Sequence, residues 1–258
     1  MKKKLAAPLR VPIFAFLAAT ATACAGMGKA PPEVLVAGAT GQTGQQIVKR
    51  LQQQGYRVHA LVRDTAKANE QLGPDVDYVQ GDVKDAASLT AAMSGVHAVI
   101  SSIGARGKDG PDRPEMVDYQ GVRNLVDAAK AARVRQFVLV SSRGVTHEGH
   151  PLNRMFGDVL IWKLKGEDYL RGSGLAYTVV RPGGLLNEPA STGDIAFEQG
   201  DRTFSGTLSI PREDVAIVCV EALRNPEAKF RTFEIHRQEG APVTDWKAKF
   251  ASLEPDRK

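Results

Sequence analysis

No seven residues constrain this chain more than "GATGQTG", Gly38 to Gly44. The apolar run "EVLVAG" leads into it and the amphipathic pattern "GQQIVKRLQQQG" leads out, so the motif is predicted to turn a strand into a helix. Each glycine meets a mechanical demand of such a turn. Gly38 lets the chain leave the strand sharply, Gly41 lets backbone approach a ligand, and Gly44 lets the helix pack closely on the sheet. The N–H groups from Thr40 through Gln42 to Thr43 then point outward at the helix N-terminus, where the dipole favours an anion. The Thr40 and Thr43 hydroxyls add donors. A pyrophosphate is the anion that suits this cradle.

Beyond the turn, apolar β-branched runs alternate with helical patterns. Further strands are predicted over "YRVHALVRD", "VDYVQGDVKD", "HAVISSIGA", "QFVLVSSRGV", "AYTVVRPGGL" and "FRTFEIH". Between them lie helices over "AASLTAAMSG", capped by Asp85, "YQGVRNLVDAAKAARV", "GDVLIWKLKGEDYLRGSG", ended by Gly174, and "REDVAIVCVEALRNP". The alternation implies an α/β fold, a Rossmann-type doubly wound parallel sheet covered on both faces, in a single domain over residues 32–258. Such sheets bind ligands beyond the C-terminal strand ends, where the winding changes direction.

The residue just past the second strand bears on which dinucleotide fits. An acid there would hold the adenosine ribose diol of NAD, whereas an arginine pairs with the 2′-phosphate of NADP(H). The sequence reads "ALVRD", with Arg63 first and Asp64 next. NADP(H) is therefore favoured over NAD(H), although Asp64 keeps NAD open.

A net charge of +5 and a pI near 9.2 suggest nucleic acid, but their location argues against it. Five bases, Lys2, Lys3, Lys4, Arg10 and Lys29, precede the first acid, Glu33, and removing them leaves 29 Lys+Arg against 29 Asp+Glu. A neutral body lacks the concentrated field that a phosphate backbone requires. The two cysteines, Cys24 and Cys219, are not expected to bridge, since one lies in the leader and the other on an apolar helix face.

Residues 1–26 read as a signal peptide or lipoprotein leader: a basic start, an apolar run from Val11 to Ala23, and small residues before Cys24. That run is too short to cross a bilayer core about 30 Å thick. Ala21-Thr22-Ala23 fits a cleavage site, and Cys24 stands where a lipobox cysteine would be diacylated, with Ala21 where leucine is usual. The expected location is a bacterial cell envelope, with a possible lipid anchor at Cys24; a start at Met27 would instead make the chain cytoplasmic.

Taken together, "VAGATGQTG", "LVRD", "VQGDVKD", "VISSIGA", "FVLVSS", "WKLKGEDYLRGSGLAYTVVRPGGL" and "SIPREDVA" resemble the atypical short-chain dehydrogenase/reductase family. The likeness is to its NAD(P)-binding, NmrA-like and biliverdin-reductase-B-like members, and it runs from Glu33 to about His236. The resemblance implies that Asp82 and Val83 meet the adenine and that Ser102, Ile103 and Gly104 line the ribose side. It also implies that Pro182 and Gly183 run beside the nicotinamide carboxamide, and that Arg212, Glu213 and Asp214 are structural.

Conventional members of the wider superfamily use Tyr-x-x-x-Lys as a proton relay. Here Lys163 has Val159 four residues before it, so that relay is absent. The candidates that remain are Ser141 and Ser142 after the fifth strand and Lys163, which would hold the nicotinamide ribose. Tyr169 and Tyr177 fit neither spacing and read as packing residues. The loop "VTHEGHPLN" offers His147 and His150 as substrate-side or proton-donating groups. It lacks the further ligands a metal site needs, so no metal is expected. Two functions follow from these residues. One is a reductase transferring hydride from NADPH to a small carbonyl, quinone or flavin-like substrate; the other is a non-catalytic NAD(P)H-binding redox sensor or assembly factor of the NmrA-like type.

Overall fold

In the computed structural model, which describes residues 32–201 and 208–257, strand β1 (Glu33–Ala37) runs through the middle of the sheet. The leader, with Cys24 and Met27, lies outside the described residues. Successive β1 side chains point to opposite faces. Val34 and Val36 enter one apolar layer while Leu35 and Ala37 enter the other, and all four are fully buried. Doubly covered strands need this apolar content on both sides, which is why the run "VLVA" carries no polar residue.

The chain then forms β2 (Arg57–Val62), β3 (Asp77–Gln80), β4 (Ala98–Ser101), β5 (Gln136–Val140) and β6 (Tyr177–Pro182). Short strands β7 (Gly184–Leu186), β8 (Asp194–Glu198) and β9 (Ser209–Pro211) follow, and then β10 (Arg231–Gln238). The sheet order is β3-β2-β1-β4-β5-β6-β10-β8. The winding changes direction between β1 and β4, which places the expected ligand site beside the glycine turn. Two details depart from the expectation of one parallel sheet. β8 pairs antiparallel with β10, and β7 and β9 form a separate, parallel two-stranded ribbon. β8 reads "DIAFE"; only Ile195 and Ala196 are buried, so its strand character comes from pairing rather than from an apolar run.

Helix α1 (Gln42–Gln53) buries Gly44, Ile47, Val48 and Leu51, the three-and-four spacing of one helical stripe. Burying Ile47 and Leu51 contributes about 1.5–3 kcal/mol each. Helix α2 (Thr65–Leu72) buries only Ala68 and carries no apolar stripe. On the face opposite α1 lie α3 (Ala86–Ala92), whose N-terminus the Asp85 side chain caps, and α4 (Val122–Ala131). A π-helical turn, Glu115–Gly121, leads into α4. Helix α5 (Pro151–Met155) is one short turn, and α6 (Val159–Gly172) joins the α4 face through Leu170. Helices α7 (Arg212–Arg224) and α8 (Trp246–Ala251) share the apolar layer of α1. Cys219 is buried there as a free thiol, its pKa pushed up to about 12 by burial.

Candidate functional site

The glycine turn is tight against the end of β4. Gly38 has a φ of 80°, and a Cβ on it would stand 2.8 Å from the carbonyl oxygen of Ser102. A Cβ on Gly44 would collide with the carbonyl oxygen of Gly38, so the first turn of α1 closes onto the loop only because that position is bare. The Gly41 N–H donates to Gly38 O at 2.9 Å, and the Ser102 N–H donates to Ala37 O at 2.9 Å. Gln42 and Thr43 follow Gly41 into the first turn of α1. Exposed backbone at a helix N-terminus, approachable because side chains are missing, is the cradle that a dinucleotide pyrophosphate fits.

From this turn a cleft opens toward the ends of β2 and β3. It brings together Gly38, Thr40 and Gly41 with Arg63, Asp82, Val83, Ser102, Ile103 and Gly104. It also contains three charged residues that the sequence did not single out, Lys84, Arg106 and Asp112. Asp112 bridges two of the cations, 2.9 Å from Arg63 Nη1 and 2.6 Å from Lys84 Nζ. The hydrogen bonds from Lys84 and then Arg63 hold the Asp112 carboxyl below the usual carboxylate range. The Asp82 carboxylate accepts the Lys84 N–H at 2.9 Å. Asp64 caps α2, its carboxylate accepting the Lys67 N–H at 3.1 Å. Behind Arg63 a second hollow gathers Thr40, Asp64, Lys67 and Arg106 as well, so three cations and one carboxylate border the same spot.

The other proposed residues sit at the C-terminal ends of β5 and β6 and on α6. The Ser141 N–H donates to Val180 O at 2.8 Å while its hydroxyl is buried without a partner, and Ser142 donates to Arg143 O at 3.0 Å. Pro182 closes β6, and the Gly183 N–H donates to Ile235 O at 2.9 Å. Lys163 Nζ lies 2.7 Å from Asp118, a carboxylate with no exposed side-chain surface, whose other oxygen accepts the Ala105 N–H at 3.0 Å. Asp118 stands on the π-helical turn and carries no sequence signal of its own. Farther along α6, Glu167 reaches Arg181 of β6 at 2.6 Å, and Arg181 reaches Glu234 of β10 at 3.0 Å. This buried pairing fixes α6 against the sheet one turn beyond Lys163 and thereby sets where Lys163 projects.

Val159 is the first residue of α6, so no tyrosine precedes Lys163 by one turn. Tyr119 instead stacks on Trp162 with ring centres 5.9 Å apart. Tyr169 donates to Asp127 and Tyr177 to Asp256; burial, and then Asp256, raise the Tyr177 pKa. Both are packing residues. His147 Nε2 is 2.7 Å from Asp201 O, and His150 Nδ1 accepts the Leu152 N–H at the start of α5. Burial lowers the His150 pKa, and the neighbouring His147 adds to this. The loop holding them is fastened by Asp201, which accepts the Gly144 N–H at 2.7 Å and both the N–H and the hydroxyl of Thr146. Among the described residues no group of three or more His, Cys, Asp or Glu is disposed to hold a metal ion.

A doubly wound sheet with a bare glycine turn at its switch point and a cationic cleft beside it defines a dinucleotide-binding protein of the Rossmann class. The chain belongs to the NAD(P)H-binding family, whose model matches residues 38–226. It is 41% identical to an uncharacterized chloroplastic protein of Arabidopsis thaliana, over 86% of this chain and 82% of that one. It is 34% identical to sanguinarine reductase of Eschscholzia californica, over 85% of this chain and 95% of the relative. It is also 34% identical to the chloroplastic protein TIC 62 of Pisum sativum, over 82% of this chain but 44% of that longer protein. Among solved structures, an anaerobillin reductase of Escherichia coli O157:H7 superposes with a TM-score of 0.67 at 25% identity, over 82% of this chain and all of that one. The neighbours are atypical short-chain dehydrogenase/reductase-like proteins, in agreement with the resemblance read from the motifs.

These comparisons correct the expected location. Relatives with high identity are chloroplastic plant proteins, and nothing among them points to a bacterial envelope, a signal peptide or a lipoprotein. The physical reason is that a basic, acid-free leader is common to several kinds of targeting segment, so its composition did not specify an envelope address.

Proposed function

We propose that this chain is an NADPH-dependent reductase of a small carbonyl, quinone or flavin-like substrate. The observation that carries the cofactor choice is the set of cations at the end of β2. Arg63, Lys67 and Arg106 surround one hollow beside the cleft, which suits the 2′-phosphate of NADPH. Asp64, the acid placed for an NAD ribose, caps α2 with its carboxylate. Gly38, Thr40, Gly41, Gln42, Thr43 and Gly44 cradle the pyrophosphate, Asp82 and Val83 meet the adenine, and Ser102, Ile103 and Gly104 line the ribose.

When bound, the reduced nicotinamide supplies the hydride. Pro182 and Gly183 border its carboxamide, and Lys163 donates to its ribose. Asp118, 2.7 Å from the Lys163 Nζ, holds that side chain in place. The proton that completes the reduction comes from solvent, from the hydroxyl of Ser141 or Ser142, or from a histidine of the 147–150 loop, in place of the missing tyrosine. The reductase reading draws support from the names of two relatives, sanguinarine reductase and anaerobillin reductase.

One observation favours the second reading, a non-catalytic NAD(P)H-binding sensor or assembly factor: Val159 occupies the position of the relay tyrosine, and a relative 30% identical, from Trieres chinensis, is named a photosystem II assembly factor. NADPH oxidation followed across a panel of quinones, flavins and aldehydes separates the two. Turnover on any class supports the reductase. Tight NADPH binding with no turnover on every class overturns it in favour of the sensor.

A further inference from the structure

Arg212 opens α7 and, unlike Arg63 with its Asp112, pairs with no acid among the described residues. Its Nε and Nη2 donate to Gln42 Oε1 at 3.1 and 2.9 Å, and its Nη1 is buried without an acceptor. Burial alone shifts its pKa, downward, and no carboxylate offsets that shift. The acids beside it in sequence are turned elsewhere. Glu213 accepts the Ala190 N–H at 3.1 Å, and Asp214 accepts the N–H and the hydroxyl of Ser191. A half-buried cation with one neutral partner and one unfilled donor is unfavourable in itself, and an anion would complete it.

The place of that cation is informative. Gln42 is the first residue of α1, directly after the glycine turn. Helices α1 and α7 pack side by side in one apolar layer. α1 leaves β1 and α7 leads back into β10, which lies parallel to β6; both helices therefore begin at the C-terminal edge of the sheet. Two positive helix ends and one uncompensated arginine thus meet above the same turn.

We propose that Arg212 is a pyrophosphate-binding residue, closing over the dinucleotide from the α7 side while the glycine turn holds it from the α1 side. Gln42 Oε1 is the acceptor it gives up when phosphate oxygens arrive. The proposal revises the purely structural role that the "REDVA" motif suggests. It rests on the dinucleotide site of the family and not on the reductase reading, so turnover has no part in its test.

The test is a set of dissociation constants, measured by calorimetry or by displacement, for NADPH, ADP-ribose and 2′-AMP. The first two carry the pyrophosphate and the last does not. Arg212→Met is expected to weaken NADPH and ADP-ribose alike by about ten- to a hundredfold, the scale of one charge-assisted contact, while 2′-AMP changes less than twofold. The unliganded melting temperature is expected to hold or rise, because a desolvated cation has gone. Arg212→Lys, which keeps the charge and loses the fork, is expected to recover part of the affinity. Unchanged ADP-ribose binding in Arg212→Met would overturn the proposal. So would an equal loss for all three ligands together with a lowered melting temperature, or a failure of Arg212→Lys to recover any affinity.

Discussion

Replacing Arg63 by alanine probes the cofactor choice at the atom that makes it. A charge-assisted contact from a guanidinium to a phosphate contributes about 1.5–3 kcal/mol. Arg63 does not start free, however: its side chain is 49% exposed and already lies 2.9 Å from Asp112. An ion pair so exposed contributes about 0–1 kcal/mol, and that amount is surrendered when Asp112 is exchanged for phosphate. The net loss on Arg63→Ala is then about 1–2 kcal/mol, a rise of roughly five- to thirtyfold in the NADPH dissociation constant. NADH, which lacks the 2′-phosphate, is expected to change less than threefold. The counter-charge gives an internal control. Asp112→Asn removes the carboxylate that holds Arg63, while Lys84 keeps Asp82 at 3.7 Å, so NADPH is expected to bind severalfold more tightly while NADH stays constant. Both are read by fluorescence titration of the bound nicotinamide. Equal losses for the two cofactors in Arg63→Ala, or weaker NADPH binding in Asp112→Asn, would refute the reasoning.

Two further substitutions test the scaffold. Asp118→Ala leaves the Lys163 ammonium and the Ala105 N–H without their buried partner and is expected to cost about 3 kcal/mol, read in urea melts; a variant as stable as the parent would contradict the pairing. Burial raises the Asp201 carboxyl, but the hydrogen bonds from Gly144 and Thr146 outweigh it and hold the group below its ordinary range. Its stabilisation is therefore complete above the unfolded value near 3.9 and lost as pH falls through the lower folded one. The stability gap between the parent and Asp201→Asn should accordingly narrow as pH falls below about 4, and a gap independent of pH would show that Asp201 does not titrate as described.

Where a residue acts through its immediate neighbours in the chain, the sequence made it legible. Val34 to Ala37 had to be doubly buried because nothing in the run is polar, and the three glycines had to form a turn because an apolar run precedes them and a helical stripe follows. The Asp85 cap was readable from its place before "AASLTAA". Residues that act across the fold were not legible. Asp112 lies 49 residues from the arginine it binds, in a loop without periodicity. Asp118 and Arg212 gain their meaning only when α6 and α1 arrive beside them. Asp64 left the cofactor open in the sequence, and the geometry of α2 then showed its carboxylate engaged in a cap. Helix α2 itself lacks an apolar stripe, and β8 exists because β10 offers it an edge. The leader misled because its composition names a class of segment and not a destination.

The central claim is hydride transfer from NADPH, and isotopic label follows it most directly. With NADPH deuterated at the transferring C4 position, a substrate found in the quinone, flavin and aldehyde panel is expected to be reduced at one equivalent per NADPH consumed. An aldehyde product should carry the deuterium on its former carbonyl carbon, and for substrates whose product exchanges the label a primary isotope effect on NADPH oxidation should replace it. Full retention of deuterium in the cofactor across the whole panel, with NADPH bound and unconsumed, would contradict the account.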